Sequence, residues 1–187
     1  MIDLHFVARG LAVGARFPPW AVPRLASDHE IRRVVDVRVE DCDDPAALRV
    51  HGIRLLHLPT ADTAAVSQER LREGVAFVSE GLDAEERVLI HCQYGIGRSA
   101  LVALCVLVAR GEPPLEALER VKRARPVISP SPAQLEAFIA FAAAHRAESG
   151  AGWDVPGLRE LGAVAWRHLG QGSDASEEDA RAASTRA

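Results

Sequence analysis

Residues 88–111 read VLIHCQYGIGRSALVALCVLVARG, a hydrophobic stretch interrupted by a short loop that holds a cysteine, an arginine and a serine. The apolar run before the loop predicts a buried strand over Arg87–His91. The run after it predicts a helix over Ser99–Arg110 that is apolar on every side and therefore central in the fold. The loop is thus predicted to lie beyond the carboxyl end of a central strand, where α/β sheets bind their ligands.

Apolar patterning elsewhere in the chain predicts strands that alternate with helices. Two short strands split by Arg9-Gly10 are typical of a hairpin. The alternation favours an α/β domain with a compact, mainly parallel sheet flanked by helices. The predicted strands are 2–7, 11–13, 34–37, 53–58 and 87–91, and the predicted helices are 25–33, 67–82, 99–110, 115–125 and 131–145.

The composition is that of a soluble globular protein. The 187 residues carry a net charge of −4 and are 48% hydrophobic, enough for a sizeable core. Without a basic excess we expect neither a nucleic-acid partner nor attraction to anionic membrane surfaces. The longest apolar run, Ala100–Ala109, has the length of a core helix and not of a membrane span. Three cysteines without disulfide-framework spacing favour a cytoplasmic location.

The loop fits the pattern His-Cys-x-x-Gly-x-x-Arg-Ser, which begins at His91. Its two glycines permit the backbone angles and the close approach with which residues 93–98 can turn their N–H groups inward, and the following helix adds the positive end of its dipole. The planar guanidinium of Arg98 can hold two oxygens of a tetrahedral anion. The residues predicted to bind a phosphate-like dianion are Gln93, Tyr94, Gly95, Ile96, Gly97 and Arg98.

Cys92 lies at the base of this anion-binding loop. A free thiol has a pKa near 8.5 and is only about 3% thiolate at pH 7. The inward N–H groups, the helix end and Arg98 should favour the thiolate, and Ser99 can donate a hydrogen bond to the sulfur. A cysteine alone is more often a small buried hydrophobe, but in this pattern Cys92 is predicted to be a nucleophile that forms a phosphocysteine.

The segment HCQYGIGRS resembles the signature of the cysteine-based protein tyrosine phosphatase superfamily, and the domain resembles its compact dual-specificity members. The resemblance spans roughly residues 8–146 and includes the segments VVDVR, HLPTADT and RPVISPSPAQLEAF. Rhodaneses share the strand–loop–helix arrangement, but their loop generally has one residue fewer before the arginine. The resemblance implies a phosphoric monoester hydrolase that needs no metal and no cofactor.

Three regions are predicted along the chain. Residues 1–147 form the catalytic domain, and residues 148–170 form a linker and an amphipathic helix that carries Trp166 and Leu169. Residues 171–187 have almost nothing to bury and are predicted to be disordered.

Phosphocysteine formation needs a proton on the leaving oxygen, which a carboxylic acid on a nearby loop can deliver. Asp62, in LPTADT, follows a predicted strand and precedes the cysteine by 30 residues. Related dual-specificity phosphatases have an aspartate in a similar position, so the resemblance implies this role for Asp62. Asp36 is interpreted as a structural hydrogen-bonding residue. The remaining rivals, in an acidic cluster interpreted as a solvated turn, are Asp41, Asp43 and Asp44.

Several residues near the site are expected to support it. His91 is interpreted as a support residue that orients the loop, and Arg38 either braces the loop from below or forms a surface salt bridge. Cys42 is a candidate for a protective disulfide with the nucleophile, as in some relatives. Cys105 is interpreted as a core residue.

Two further features are interpreted as non-catalytic. Gln134 is offset from the position at which larger tyrosine phosphatases carry a water-positioning glutamine. The basic residues Arg120, Lys122, Arg123 and Arg125 are interpreted as a solvated helix face, of which one member could contact substrate.

The variable loop positions Gln93, Tyr94 and Ile96 are not basic. Phosphoinositide phosphatases tend to carry lysines there, so their absence favours a phosphoprotein substrate, above all phosphotyrosine, with dual specificity for phosphoserine and phosphothreonine left open. The alternatives are a phosphoinositide or inositol-phosphate phosphatase and a catalytically silent phosphate-binding module. The physiological substrate and the oligomeric state are not determined by the sequence.

Overall fold

The computed structural model describes residues 2–167. Its five strands form one mixed sheet in the order β1-β2-β5-β3-β4. The strands are β1 (Leu4–Ala8), β2 (Leu11–Gly14), β3 (Ile31–Arg38), β4 (Arg54–Thr60) and β5 (Arg87–His91). The helices are α1 (Val22–Ser27), α2 (Pro45–Val50), α3 (Gln68–Asp83), α4 (Arg98–Ala109), α5 (Pro114–Ala124), α6 (Pro132–Ser149) and α7 (Leu158–Ala165).

The sheet is parallel except at one edge, which confirms the predicted fold class. β5 is central and pairs in parallel with β2 and β3, and β4 adds to β3 in parallel. Only β1 is antiparallel, because it forms a hairpin with β2. His91 at the end of β5 lies opposite Gly14 and Asp36, so the carboxyl ends of three strands meet at one edge of the sheet.

Side chains of the central strand β5 alternate between the two faces of the sheet and pack against different helices on each face. Val88 and Ile90 belong to the core cluster that includes α4, whereas Leu89 belongs to the smaller cluster formed with α1 and α2. Every residue of α4 from Arg98 to Val108 is buried, as expected for a central helix. The loop between β5 and α4 therefore has a rigid element on each side.

Two predicted boundaries are wrong. The helix predicted over 25–33 ends at Ser27, and β3 begins at Ile31 after a turn in which Glu30 has a φ of 56°. Apolar spacing was misleading here because Arg33 is a fully buried strand residue whose guanidinium pairs with Glu86 at 2.5 Å. β4 also continues through Pro59 to Thr60, which is tolerated because β4 is an edge strand.

The predicted C-terminal helix is α7, but α6 continues past the predicted end at 145 to Ser149, so the predicted linker start at 148 lies inside α6, and Trp166 is the residue just after α7. Leu169 and the tail predicted to be disordered lie outside the described residues. No helix between residues 2 and 167 combines the length and the hydrophobicity needed to cross a bilayer.

Candidate active site

The loop that connects β5 to α4, residues 92–97, is here called the signature loop. Gly95 has a φ of +66°, and a Cβ at this position would lie 2.5 Å from the carbonyl of Gly14. A Cβ at Gly97 would lie 2.4 Å from the Gln134 side chain. Gly95 is therefore required both by the close approach of the Gly14 backbone and by its own left-handed conformation, whereas a side chain at Gly97 would displace the end of the Gln134 side chain.

Cys92 lies at the base of the loop with 3% of its surface exposed. Its Sγ is 3.4 Å from the Oγ of Ser99, the second residue of α4. Burial raises the pKa of the Cys92 thiol, but hydrogen bonds from the Ser99 hydroxyl and from the N–H groups of Ser99, Tyr94 and Gly95 outweigh it. The net result is a pKa below the ordinary thiol value. The loop thus stabilises a thiolate, as predicted from its pattern.

Arg98 is fixed at the first turn of α4 by three acceptors. Its Nη1 and Nη2 each donate to one carboxylate oxygen of Glu40 at 2.8 Å, and Nη1 also donates to the carbonyl of Thr60 at 2.8 Å. Its Nε is buried and has no hydrogen-bond partner among the described residues. Glu40 and Thr60 therefore hold the guanidinium plane and leave the Nε edge as a donor for a bound anion.

Asp62 lies at the mouth of the site. Its Oδ1 is 3.2 Å from Nη2 of Arg98, and its side chain is 64% exposed. Together with Cys92 it lines a cleft of about 150 Å³ whose other walls include Tyr94 and Ser129. The structure thus brings together the three residues that the sequence analysis selected: the predicted nucleophile Cys92, the predicted anion-binding Arg98 and the predicted general acid Asp62.

The match to a known family decides what this arrangement is. A model of the dual specificity phosphatase catalytic domain matches residues 19–144. The chain belongs to the dual-specificity phosphatase family.

Individual relatives of the chain agree with that assignment. It is 30% identical over 125 residues to the mouse phosphatidylglycerophosphatase and protein-tyrosine phosphatase 1, a match that covers 63% of this chain and 65% of the relative. It is 42% identical over 60 residues to the human dual specificity protein phosphatase 4, covering 32% of this chain and 15% of the relative.

Solved structures show the same fold. The crystal structure of PTPMT1 in complex with PI(5)P matches with a TM-score of 0.74 and 26% identity, covering 78% of this chain and 98% of that chain. The structure of Tk-PTP in the active form matches with a TM-score of 0.69 and 27% identity, covering 75% and 97% of the two chains.

A buried network supports the signature loop from one side. The Nε2 of His91 is 2.7 Å from a carboxylate oxygen of Asp43, and Arg38 donates to Asp43 and Asp36 at 2.8 Å. Arg38 therefore braces the loop through Asp43 and His91, and the surface salt bridge left open by the sequence is wrong. Asp36 is a structural residue, as predicted, but Asp43 is only 8% exposed and does not belong to a solvated turn.

A second arginine holds the loop from the other side. The Nε and Nη2 of Arg125 donate to the carbonyls of Gly95 and Tyr94 at 2.8 and 3.0 Å, and its guanidinium pairs with Asp3. Arg125 and Lys122 are 1% and 5% exposed, so the predicted solvated basic face is wrong for these two residues. By turning the loop carbonyls outward, Arg125 favours the backbone orientation that leaves the N–H groups inward.

Glu40 is a site residue that sequence analysis did not single out. Its hydrogen bonds with Arg98 lower its pKa to about 2, so it is an anion throughout the physiological pH range. The available signal was its position two residues after β3, at the same edge of the sheet as the signature loop. Within an acidic run such as EDCDD, sequence alone does not distinguish a buried pairing from solvated charges.

The remaining predicted residues have mixed outcomes. The Gln134 side chain accepts from the Ser131 N–H and donates to the Ala64 carbonyl, at 2.9 and 3.1 Å, which agrees with a structural interpretation. Cys105 is fully buried in the core, as predicted. Cys42 and Cys92 are both free thiols, so their disulfide stays a prediction.

One group of possible metal ligands lies beside the site within the described residues. Asp36, Asp43 and His91 have their ligand atoms within 4.8 Å of one another. The two carboxylates share the guanidinium of Arg38. The geometry is therefore that of an ion-pair network that orients the loop.

We expect Ser99→Ala to raise the pKa of Cys92, because the hydroxyl supplies the largest of the interactions that favour the thiolate. The thiolate fraction increases with pH, so at a fixed pH below the midpoint the variant should react more slowly with iodoacetamide. The measurement is the pH profile of alkylation in a Cys42→Ser background, which removes the exposed thiol. A midpoint that does not move would contradict the role of Ser99.

Proposed function

We propose that this phosphatase hydrolyses phosphotyrosine in proteins, with dual specificity for phosphoserine and phosphothreonine as the extension to test. The observation that carries the proposal is the cleft above Cys92. Tyr94 at its rim is 61% exposed, and no lysine or arginine of the described part of the chain lines the cleft, although Arg98 contacts its wall at Asp62. Such a cleft suits one phosphate monoester next to a ring, and it offers no extra cations to a multiply phosphorylated headgroup.

In the proposed reaction the Cys92 thiolate attacks phosphorus, and the bond between phosphorus and the tyrosine oxygen breaks. Asp62, as the carboxylic acid, transfers its proton to the leaving oxygen. Arg98 and the loop N–H groups hold the non-bridging oxygens as charge develops on them.

The same groups serve the second step. The Asp62 carboxylate accepts a proton from water as the water oxygen attacks the phosphocysteine, and the sulfur leaves as thiolate with a hydrogen bond from Ser99. Inorganic phosphate is released, and Asp62 regains the proton it donated in the first step.

A second candidate is a lipid-linked phosphomonoester, which the names of the relatives favour. The mouse relative is named for both phosphatidylglycerophosphate and protein-tyrosine substrates, and the PTPMT1 structure holds PI(5)P. Both activities would use the same nucleophile, since they differ only in what the phosphate is attached to.

A matched panel without added metal separates these functions. It holds a phosphotyrosine peptide, a phosphothreonine peptide, a soluble phosphoinositide and phosphatidylglycerophosphate in mixed micelles. Release from the tyrosine peptide supports the first proposal, and comparable release from the threonine peptide makes it dual-specific. Release from the lipids alone would show that the substrate is a lipid and not a protein. No release from folded protein would favour a silent phosphate-binding module.

Asp62→Ala is expected to lower kcat for a phosphotyrosine peptide by about 10²–10⁴-fold, the usual contribution of a general acid. Asp41→Asn is a matched control, because Asp41 is another rival carboxylate and its side chain is also 64% exposed. The measurement is kcat for both variants under saturating substrate. If Asp41→Asn causes the larger loss, the general acid has been assigned to the wrong loop.

A further inference from the structure

The C-terminal helix α7 lies outside the segment that matches the family, which ends at residue 144. It is nevertheless part of the core, because Leu161 and Ala165 are fully buried and α7 packs against α5 and α6. A helix beyond the family domain that joins the same core invites the question of what its contacts reach.

The end of α7 contacts the segment between α5 and α6, residues 126–131. The indole Nε1–H of Trp166 donates to the carbonyl of Pro130 at 2.9 Å. The Nζ of Lys122 donates to the carbonyl of Ala165 at 2.8 Å and to that of Ile128 at 2.6 Å. Two side chains thus join the helix end to segment 126–131.

Segment 126–131 in turn contacts both loops of the active site. The N–H of Ser129 donates to the carbonyl of Ile96 in the signature loop at 3.0 Å. The hydroxyl of Ser131 donates at 2.7 Å to the carbonyl of Thr63, the residue next to Asp62. The segment therefore bridges the loop that carries the nucleophile and the loop that carries the proposed acid.

The backbone conformation of Thr63 depends on the support of neighbouring contacts. Its φ of 60° is an unfavourable conformation for a β-branched residue, and such a conformation persists only where neighbouring contacts hold it. The Asp62 side chain is largely exposed, so its packing does little to fix its position. Apart from the contact of its Oδ1 with Nη2 of Arg98 at 3.2 Å, the position of Asp62 then depends on how its backbone is held.

We propose that α7 positions the general acid: Trp166 and Lys122 hold segment 126–131, which holds the Asp62 loop against the signature loop. This inference rests on the proposed role of Asp62. Trp166 is a positioning residue in this scheme, and its loss should impair proton delivery more than attack by the thiolate.

The test compares two substrates that differ in their need for an acid. Phenyl phosphate has a poor leaving group that must be protonated, whereas 2,4-dinitrophenyl phosphate has a leaving group that departs without a proton. The measured quantity is the ratio of kcat/KM for the two, which reports only the steps up to phosphocysteine formation and does not depend on how much of a variant is folded. Asp62→Ala gives the change in this ratio that corresponds to complete loss of acid catalysis.

Trp166→Phe keeps the aromatic ring and removes the hydrogen bond to Pro130. We expect it to lower kcat/KM for phenyl phosphate by about 5- to 10-fold while kcat/KM for the dinitrophenyl ester stays near wild type, because a small displacement of a catalytic group is costly. Lys122→Met releases the same segment and should shift the ratio in the same direction. Trp153→Phe is the matched control, since the indole N–H of Trp153 has no hydrogen-bond partner within residues 2–167.

Equal losses on both substrates in Trp166→Phe and Lys122→Met would overturn the inference, since they would show that α7 only stabilises the fold. A shift of the same size in Trp153→Phe would also overturn it. If Asp62→Ala leaves the ratio unchanged, the proposed role of Asp62 has failed, and the positioning role of α7 fails with it.

Discussion

Cys92→Ser is expected to reduce phosphate release from a phosphotyrosine peptide by about 10⁵-fold or more. Serine keeps the shape of the side chain, but its hydroxyl is almost entirely neutral at pH 7, and loss of a nucleophile costs rates of this order in other covalent enzymes. The loop N–H groups and Arg98 do not depend on the sulfur, so the variant should still bind the phosphopeptide. The measurements are single-turnover phosphate release and calorimetric titration with the same peptide.

Cys42→Ser is the matched control for this change. Cys42 is exposed, and partial loss of solvent around its thiol together with the nearby carboxylates of Asp36 and Asp43 raises its pKa, so it should contribute nothing to turnover. Full activity in Cys92→Ser would contradict the phosphocysteine mechanism. Loss of activity in Cys42→Ser under reducing conditions would indicate that the wrong thiol has been assigned.

Arg98→Ala is expected to lower kcat/KM by about 10³-fold or more and, unlike Cys92→Ser, to abolish binding of the phosphopeptide. The guanidinium lies beside the cleft in contact with Asp62 and keeps a buried Nε without a hydrogen-bond partner among the described residues, and removal of a single preorganised donor typically costs about 10²–10³-fold. Arg98→Lys should also fail, because an ammonium cannot make the two-point contact with Glu40 and still present a planar donor edge.

Glu40→Gln provides the graded comparison. It leaves Arg98 in place and weakens the bidentate pairing that fixes the guanidinium, so we expect a smaller loss of kcat/KM, about 10- to 100-fold. Both variants are to be compared by steady-state kinetics and by the thermal unfolding midpoint. Binding that survives in Arg98→Ala would mean that the loop N–H groups alone hold the phosphate.

The catalytic loop could be predicted because its information is local. Cys92 and Arg98 are six residues apart, and the glycines between them report on backbone geometry within the same loop. The strand before the loop and the helix after it follow from apolar runs of one chain segment each. The helix predicted over 25–33 is wrong because the burial of Arg33 depends on distant segments of the chain. Arg33 looks solvated in sequence but is buried by charge pairing with residues of α3 and the turn that follows it.

The sequence by itself determined the α/β fold and the place of the signature loop between a central strand and a buried helix, and it predicts Cys92 as the nucleophile there. Only the tertiary structure decided that Glu40 fixes Arg98, that Arg125 braces Gly95 and that Trp166 reaches Pro130, across 58, 30 and 36 residues of chain. The physical reason is that a charged or aromatic side chain has the same local pattern whether it is solvated or paired. Its role is set by which distant segment folds against it, and apolar periodicity carries no information about that.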